Sequence, residues 1–169
     1  MRFTTVLKAL VGCEQAAPQD MWFEQDSQVM VVAVRPRSRA RRRCGICRTR
    51  CPRFDAGAGR RRWRHLDAAG LKLYLEADAP RVSCKRHGVV VAAVPWARHD
   101  AGHTLDFDQQ VAWLATECSK SATAQLMRTA WRTVGAILTR YQRDADAGID
   151  RLAGLRRIGI DEISYRRVI

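Results

Sequence analysis

The sequence predicts an α+β chain, in which a small metal-clipped β module is followed by a three-helix unit. Three observations carry this. Cys44-Gly45-Ile46-Cys47 is answered, 36 residues on, by Cys84-Lys85-Arg86-His87, two ligand pairs of equal spacing. Short β-branched or alternating runs flank and interrupt that interval. After Thr104 the apolar period changes from that of a strand to that of a helix.

Phe3 to Val11 reads as a short helix, and Gln28-Val29-Met30-Val31-Val32-Ala33-Val34 as a buried strand, which together define an N-terminal segment of residues 1–34. Residues 35–98 form a basic, zinc-binding segment. Within it Leu71-Lys72-Leu73-Tyr74-Leu75-Glu76-Ala77 alternates with period two, as a half-buried strand does. Gly88 to Val94 is a further strand, closed by Pro95. Residues 104–143 are helical. Phe107, Val111, Leu114, Ala115 and Cys118 give a first helix one apolar face. Ser121 is the N-cap expected for a second helix ending near Met127. A third is expected from Ala130 to Tyr141, with Trp131, Val134, Leu138 and Tyr141 on one side and Arg132, Ala136, Thr139 and Arg143 on another. Two short helices joined by a tight turn make a helix-turn-helix pattern. Asp144 to Gly148 reads as a polar linker and Arg157 to Ile163 as a strand with Asp161 at its centre.

Formal net charge is +13 over 169 residues, with a pI near 10.5. Such a surplus calls for nucleic acid, an anionic membrane or an acidic protein as partner. Thirteen arginines fall between Arg35 and Arg64, opposed in that stretch by Asp55 alone. Guanidinium pairs bidentately with phosphate, which favours DNA. No apolar run approaches the roughly 20 residues of a membrane span, and the N-terminus lacks a secretory pattern. The expected setting is the cytoplasm, beside the nucleoid, where cysteines at these spacings serve metals rather than disulfides.

Cys44, Cys47, Cys84 and His87 form a closed sulfur and nitrogen set suited to structural Zn²⁺. Cys51 is a second candidate for the place of Cys47, and the sequence leaves both open. His99 and His103 read as a surface pair, and Trp63 as a core anchor among arginines. For DNA, Arg60, Arg61, Arg62 and Arg64 are expected on phosphates, Arg132, Thr133 and Ala136 on base edges, and Arg128 and Arg140 on flanking phosphates.

In combination these motifs resemble the transposases of the insertion-sequence L-three family. The resemblance rests on the two ligand pairs, on Arg60-Arg61-Arg62-Trp63-Arg64-His65-Leu66-Asp67, on Ser121 to Met127 with Trp131-Arg132-Thr133-Val134, and on Gly159-Ile160-Asp161-Glu162-Ile163-Ser164-Tyr165. It implies a zinc finger, a helix-turn-helix and then the start, at residues 157–169, of a ribonuclease-H-like catalytic domain. Asp161 would be the first of three catalytic acids holding Mg²⁺, and double-stranded inverted-repeat ends would be the DNA partner, with homo-oligomers open. Arg128 stands where the family usually has Gly in the turn, which leaves room for an altered turn. The sequence given stops at Ile169, before the other two acids. The expectation is therefore a chain that binds transposon ends without cutting them. The alternative is a stand-alone zinc-finger and helix-turn-helix transcriptional regulator.

Overall fold

In the computed structural model the described residues are 3–147, with 153, 154, 156 and 157. Asp161 and nearly all of the strand expected around it lie outside them. Helix α1 (Phe3–Val11) places Leu7 and Val11, one turn apart, against a four-stranded sheet. That sheet is built from β1 (Ala16–Glu24), β2 (Val29–Pro36), β4 (Arg60–Arg64) and β5 (Lys72–Asp78), in the order β1-β2-β5-β4. β2 runs antiparallel to β1 and parallel to β5, while β4 runs antiparallel to β5. The expected division at residue 34 falls inside β2, so the N-terminal and basic segments share one sheet. Val32, Val34, Leu73, Leu75 and Trp63 fill its core, and Trp63 meets Trp96 edge to face at 5.6 Å.

β1 had no sequence-level counterpart. Its apolar residues do not alternate, and Pro18 sits at a register shift between Pro18 and Asp20. Proline is tolerated there because β1 is an edge strand, where a missing N–H breaks no ladder. The arginine run of β4 forms the opposite edge. Charge on an edge strand discourages a second chain from pairing with it.

A second sheet, of order β3-β6-β7, contains β3 (Arg53–Asp55), β6 (Arg81–Cys84) and β7 (Gly88–Val91). β7 stops short of the expected Val94, and Ala92 instead bridges to Cys44. The sheet's core is small, made of Cys44, Cys51, Val82 and Cys84.

Three helices follow, α2 (Leu105–Glu117), α3 (Lys120–Leu126) and α4 (Trp131–Asp146). Thr104 caps α2 by accepting from the Phe107 N–H at 3.3 Å. Ser119, not Ser121, caps α3, its Oγ accepting from the Ala122 N–H at 3.2 Å. α4 continues past the expected Tyr141 and into the expected linker, ending at Asp146. Its buried stripe is Val134 and Ile137 with Leu138 beside them, packed on Phe107, Val111 and Ala124. Trp131 and Tyr141, expected on that side, are exposed. No helix among the described residues is long and apolar enough to cross a membrane.

Candidate metal centre and nucleic-acid interface

The ligand atoms of Cys44, Cys47, Cys84 and His87 all lie within 4.8 Å of one another. Cys44 and Cys47 bracket one tight turn. Cys84 ends β6, and His87 follows in the turn into β7. Cys44 Sγ and Cys84 Sγ each sit 3.6 Å from His87 Nδ1, and Cys47 Sγ sits 3.8 Å from Cys84 Sγ. A tetrahedral Zn²⁺ with bonds of about 2.3 Å to sulfur and about 2.05 Å to nitrogen has edges of roughly 3.8 Å (S–S) and roughly 3.6 Å (S–N). The donor set therefore fits a structural zinc in chemistry and in size. Cys51 is not part of this set. It is buried in the small core, with its Sγ 3.3 Å from the Thr49 carbonyl oxygen, and burial pushes its thiol up.

The backbone N–H of Arg86, with help from His87, draws the Cys84 thiol down to about 6. The Thr49 hydroxyl beside Cys47 lowers that thiol too, whereas burial raises Cys44. Contact with Cys84 raises His87. Gly45 is required by close approach, since a Cβ there would stand 2.6 Å from the Val91 carbonyl oxygen and also strike the His99 ring.

The arginines between 35 and 64 divide into two groups, and the division corrects the expectation for β4. Arg62 donates to Glu76 at 2.7 Å and to Glu24 at 2.6 Å, and Arg60 pairs with Glu76 at 3.0 Å. Arg61 donates to the Ala101 carbonyl at 2.8 Å and lies over Trp63. Arg64 is 5% exposed, pairs with Asp67 and lies over Phe107, so it braces the junction of sheet and helices and cannot face phosphate. By contrast Arg35, Arg37, Arg39, Arg41, Arg42, Arg43, Arg48, Arg50 and Arg53 are all exposed. Among the described residues none of these nine forms a close ion pair with a carboxylate, though the Arg53 charge acts on Asp55.

In the helix-turn-helix, Arg132 and Ala136 are exposed and Thr133 is half-buried. Arg132, Ala136, Thr139 and Arg143, all exposed, form one outward stripe of α4 at positions i, i+4, i+7 and i+11, with Thr133 beside its first residue. Arg128 lies in the turn with φ +48°, the left-handed conformation that glycine takes most easily, and its guanidinium pairs with Asp67. The turn thus keeps a glycine-like backbone in spite of the arginine. Asp67 is held between Arg64 and Arg128 and ties β4 to the turn. Arg140 departs from expectation. It is half-buried, its Nε is enclosed, and its charge acts on His103 and Asp108 rather than pointing outward. His103 is no surface residue either, being stacked on Phe107 at 5.0 Å and pushed down to about 4 by burial.

Sequence reasoning missed Asp67, Glu24 and Glu76 as partners of the β4 arginines, and no local signal points to them. It also passed over the cation of Lys120, which sits 3.2 Å above the Trp131 ring.

Comparison with known proteins gives a consistent picture. Residues 40–87 match the zinc-finger of transposase IS204/IS1001/IS1096/IS1165, and residues 92–142 match the helix-turn-helix domain of transposase family ISL3. Two curated relatives, each named transposase for insertion sequence element IS1557, come from Mycobacterium tuberculosis strains CDC 1551 / Oshkosh and ATCC 25618 / H37Rv. Each is 52% identical over 172 residues, covering 99% of this chain. The chain spans 39% of the length of each. No solved structure matches it significantly.

Proposed function

This chain belongs to the ISL3 family of transposases, and from that premise we propose that it is the DNA-binding N-terminal part of one. The single observation that carries the reading is the outward stripe of α4, which begins with Arg132 and stands clear of the core formed by Phe107, Val111, Ala124, Val134 and Ile137. A recognition helix meets base edges with residues near its N-terminal end. Arg132, Thr133 and Ala136 hold those places, with Arg128 beside them in the turn. Ala130, at the N-cap of α4, gives no side-chain cap, so the first N–H groups of the helix are free to meet phosphate. The zinc centre holds the preceding module in register.

The expected ligand is duplex DNA at the inverted-repeat ends of the element, bound in the cytoplasm at the nucleoid, with self-association open. Asp161 and any Mg²⁺ it would help to hold belong to strand cleavage, a step separate from end binding. Nothing in the comparisons favours a transcriptional regulator.

Arg132→Ala tests the assignment. If Arg132 pairs with a guanine edge, the variant loses about 1–3 kcal/mol on the inverted repeat and much less on a random duplex of equal length. Equal losses on both duplexes, measured by fluorescence anisotropy, would remove α4 from the groove.

A further inference from the structure

We propose that the segment from Arg35 to Arg43, with Arg48 and Arg53, is a phosphate clamp for duplex DNA, separate from the base-reading helix. The inference rests on the DNA-binding reading above and adds a site to it.

Two clefts flank the 3-10 turn at Ser38–Ala40. One, of about 550 Å³, is lined by Arg35, Arg41, Arg42, Arg53 and Arg60, with Asp78 as its one acid. The other, of about 710 Å³, is lined by Arg37, Arg39, Arg43 and Arg48 and has no acidic residue in its wall. The segment is thus a ridge with guanidinium on both sides.

Backbone carbonyls, which orient a cation without neutralising it, hold several of these side chains. Arg41 Nε donates to Pro36 at 2.9 Å, Arg43 Nη1 to Arg48 at 3.1 Å, and Arg48 Nη1 to Val94 at 3.2 Å. Positioned and uncompensated cations repel one another until an anion arrives. Arg42 and Arg48 also adopt φ of +56° and +60°, a region where an L side chain is strained and glycine is not. Arginine is therefore present at two positions where the backbone alone favours glycine. In β4, by contrast, Arg60, Arg62 and Arg64 are already matched by Glu24, Glu76 and Asp67, and Arg61 is turned onto the Ala101 carbonyl and the Trp63 ring.

A polyanion of regular charge suits such a ridge, and a duplex backbone supplies it. Contacts of this kind carry no sequence information and show themselves in salt dependence.

The test uses the full zinc-loaded chain, with anisotropy titrations on an inverted-repeat duplex and on a scrambled duplex from 50 to 300 mM salt. In the triple variant Arg41→Gln, Arg42→Gly, Arg53→Gln, the slope of log affinity against log salt should become shallower by about 2.7, or about 0.9 per lost contact. The affinity lost should be the same on both duplexes. Arg42→Gly alone should flatten the slope by about 0.9 without lowering Tm, because glycine relieves the left-handed backbone and so separates charge from folding. Arg62→Gln removes one charge as well but should leave the slope unchanged. An unchanged slope in the folded triple variant, or an equal flattening by Arg62→Gln, would overturn the clamp while leaving the reading of α4 in place. Failure of the wild-type chain to bind either duplex would take both down.

Discussion

His65 and His103 are kept neutral inside the fold by burial, and this makes the chain sensitive to acid. His65 Nε2 lies 3.0 Å from the Leu10 carbonyl oxygen, which can only accept, so that nitrogen carries the proton and Nδ1 accepts from the Thr104 hydroxyl at 2.8 Å. Burial lowers both imidazoles, His103 to about 4, with the Arg140 and Arg64 charges adding to the shift at His103. A histidine depressed in the fold takes up its proton first in the unfolded chain. Stability is therefore full above the ordinary value of 6.5 and is lost as pH falls from there towards 4. One such group changes stability by about 1.4 kcal/mol per pH unit. Urea melts at pH 6.5 and 5 should show a smaller loss for His103→Gln than for the wild type. Parallel losses would mean that His103 is not the group responsible. At this scale the zinc ligands were legible because metal chemistry is written in their spacing. The roles of the β4 arginines were not, since Arg62 meets Glu24 and Glu76 across 38 and 14 residues and through strand order alone.

Among the elements, the cap of α3 offers the sharpest check. Ser119 Oγ satisfies the Ala122 N–H, and the Ser119 carbonyl accepts from the Thr123 hydroxyl at 3.0 Å as well. Ser121 is exposed within the first turn. Ser119→Ala should cost about 1 kcal/mol in thermal or urea melts, and Ser121→Ala close to nothing; the reverse order would misplace the start of the helix. The first and third helices were readable from their apolar period because each buries a face, and the second from a serine cap signal that the structure moves from Ser121 to Ser119. α4 ran past its expected end because Arg98 holds Asp144 and the Tyr141 ring, contacts that no pattern inside the helix encodes. β1 stayed hidden because an edge strand with Pro18 need not alternate.

On the scale of the whole molecule, the zinc centre serves one sheet and not the entire β region. The four-stranded sheet and α1 have their own apolar core, while β3, β6 and β7 enclose little beyond the ligand cysteines, Cys51 and Val82. Structural zinc supplies about 10–16 kcal/mol in small modules. Hydrogen exchange after treatment with a strong chelator should therefore show protection lost around residues 40–55 and 81–92, and kept in β2, β5 and α2. Uniform loss would show that the two sheets fold as one unit. The α+β order, with a zinc-ribbon module ahead of a helix-turn-helix, could be read from the sequence, but the sharing of one sheet by residues on both sides of position 34 could not, because a parallel β2–β5 pairing leaves no local mark. The most direct measurement of the central claim is a pair of titrations of the zinc-loaded chain, on its inverted-repeat duplex and on a scrambled duplex, at physiological salt. A DNA-binding portion of an ISL3 transposase should bind the repeat at least about a thousandfold more tightly. Equal affinity for the two, or no binding to either, would contradict it.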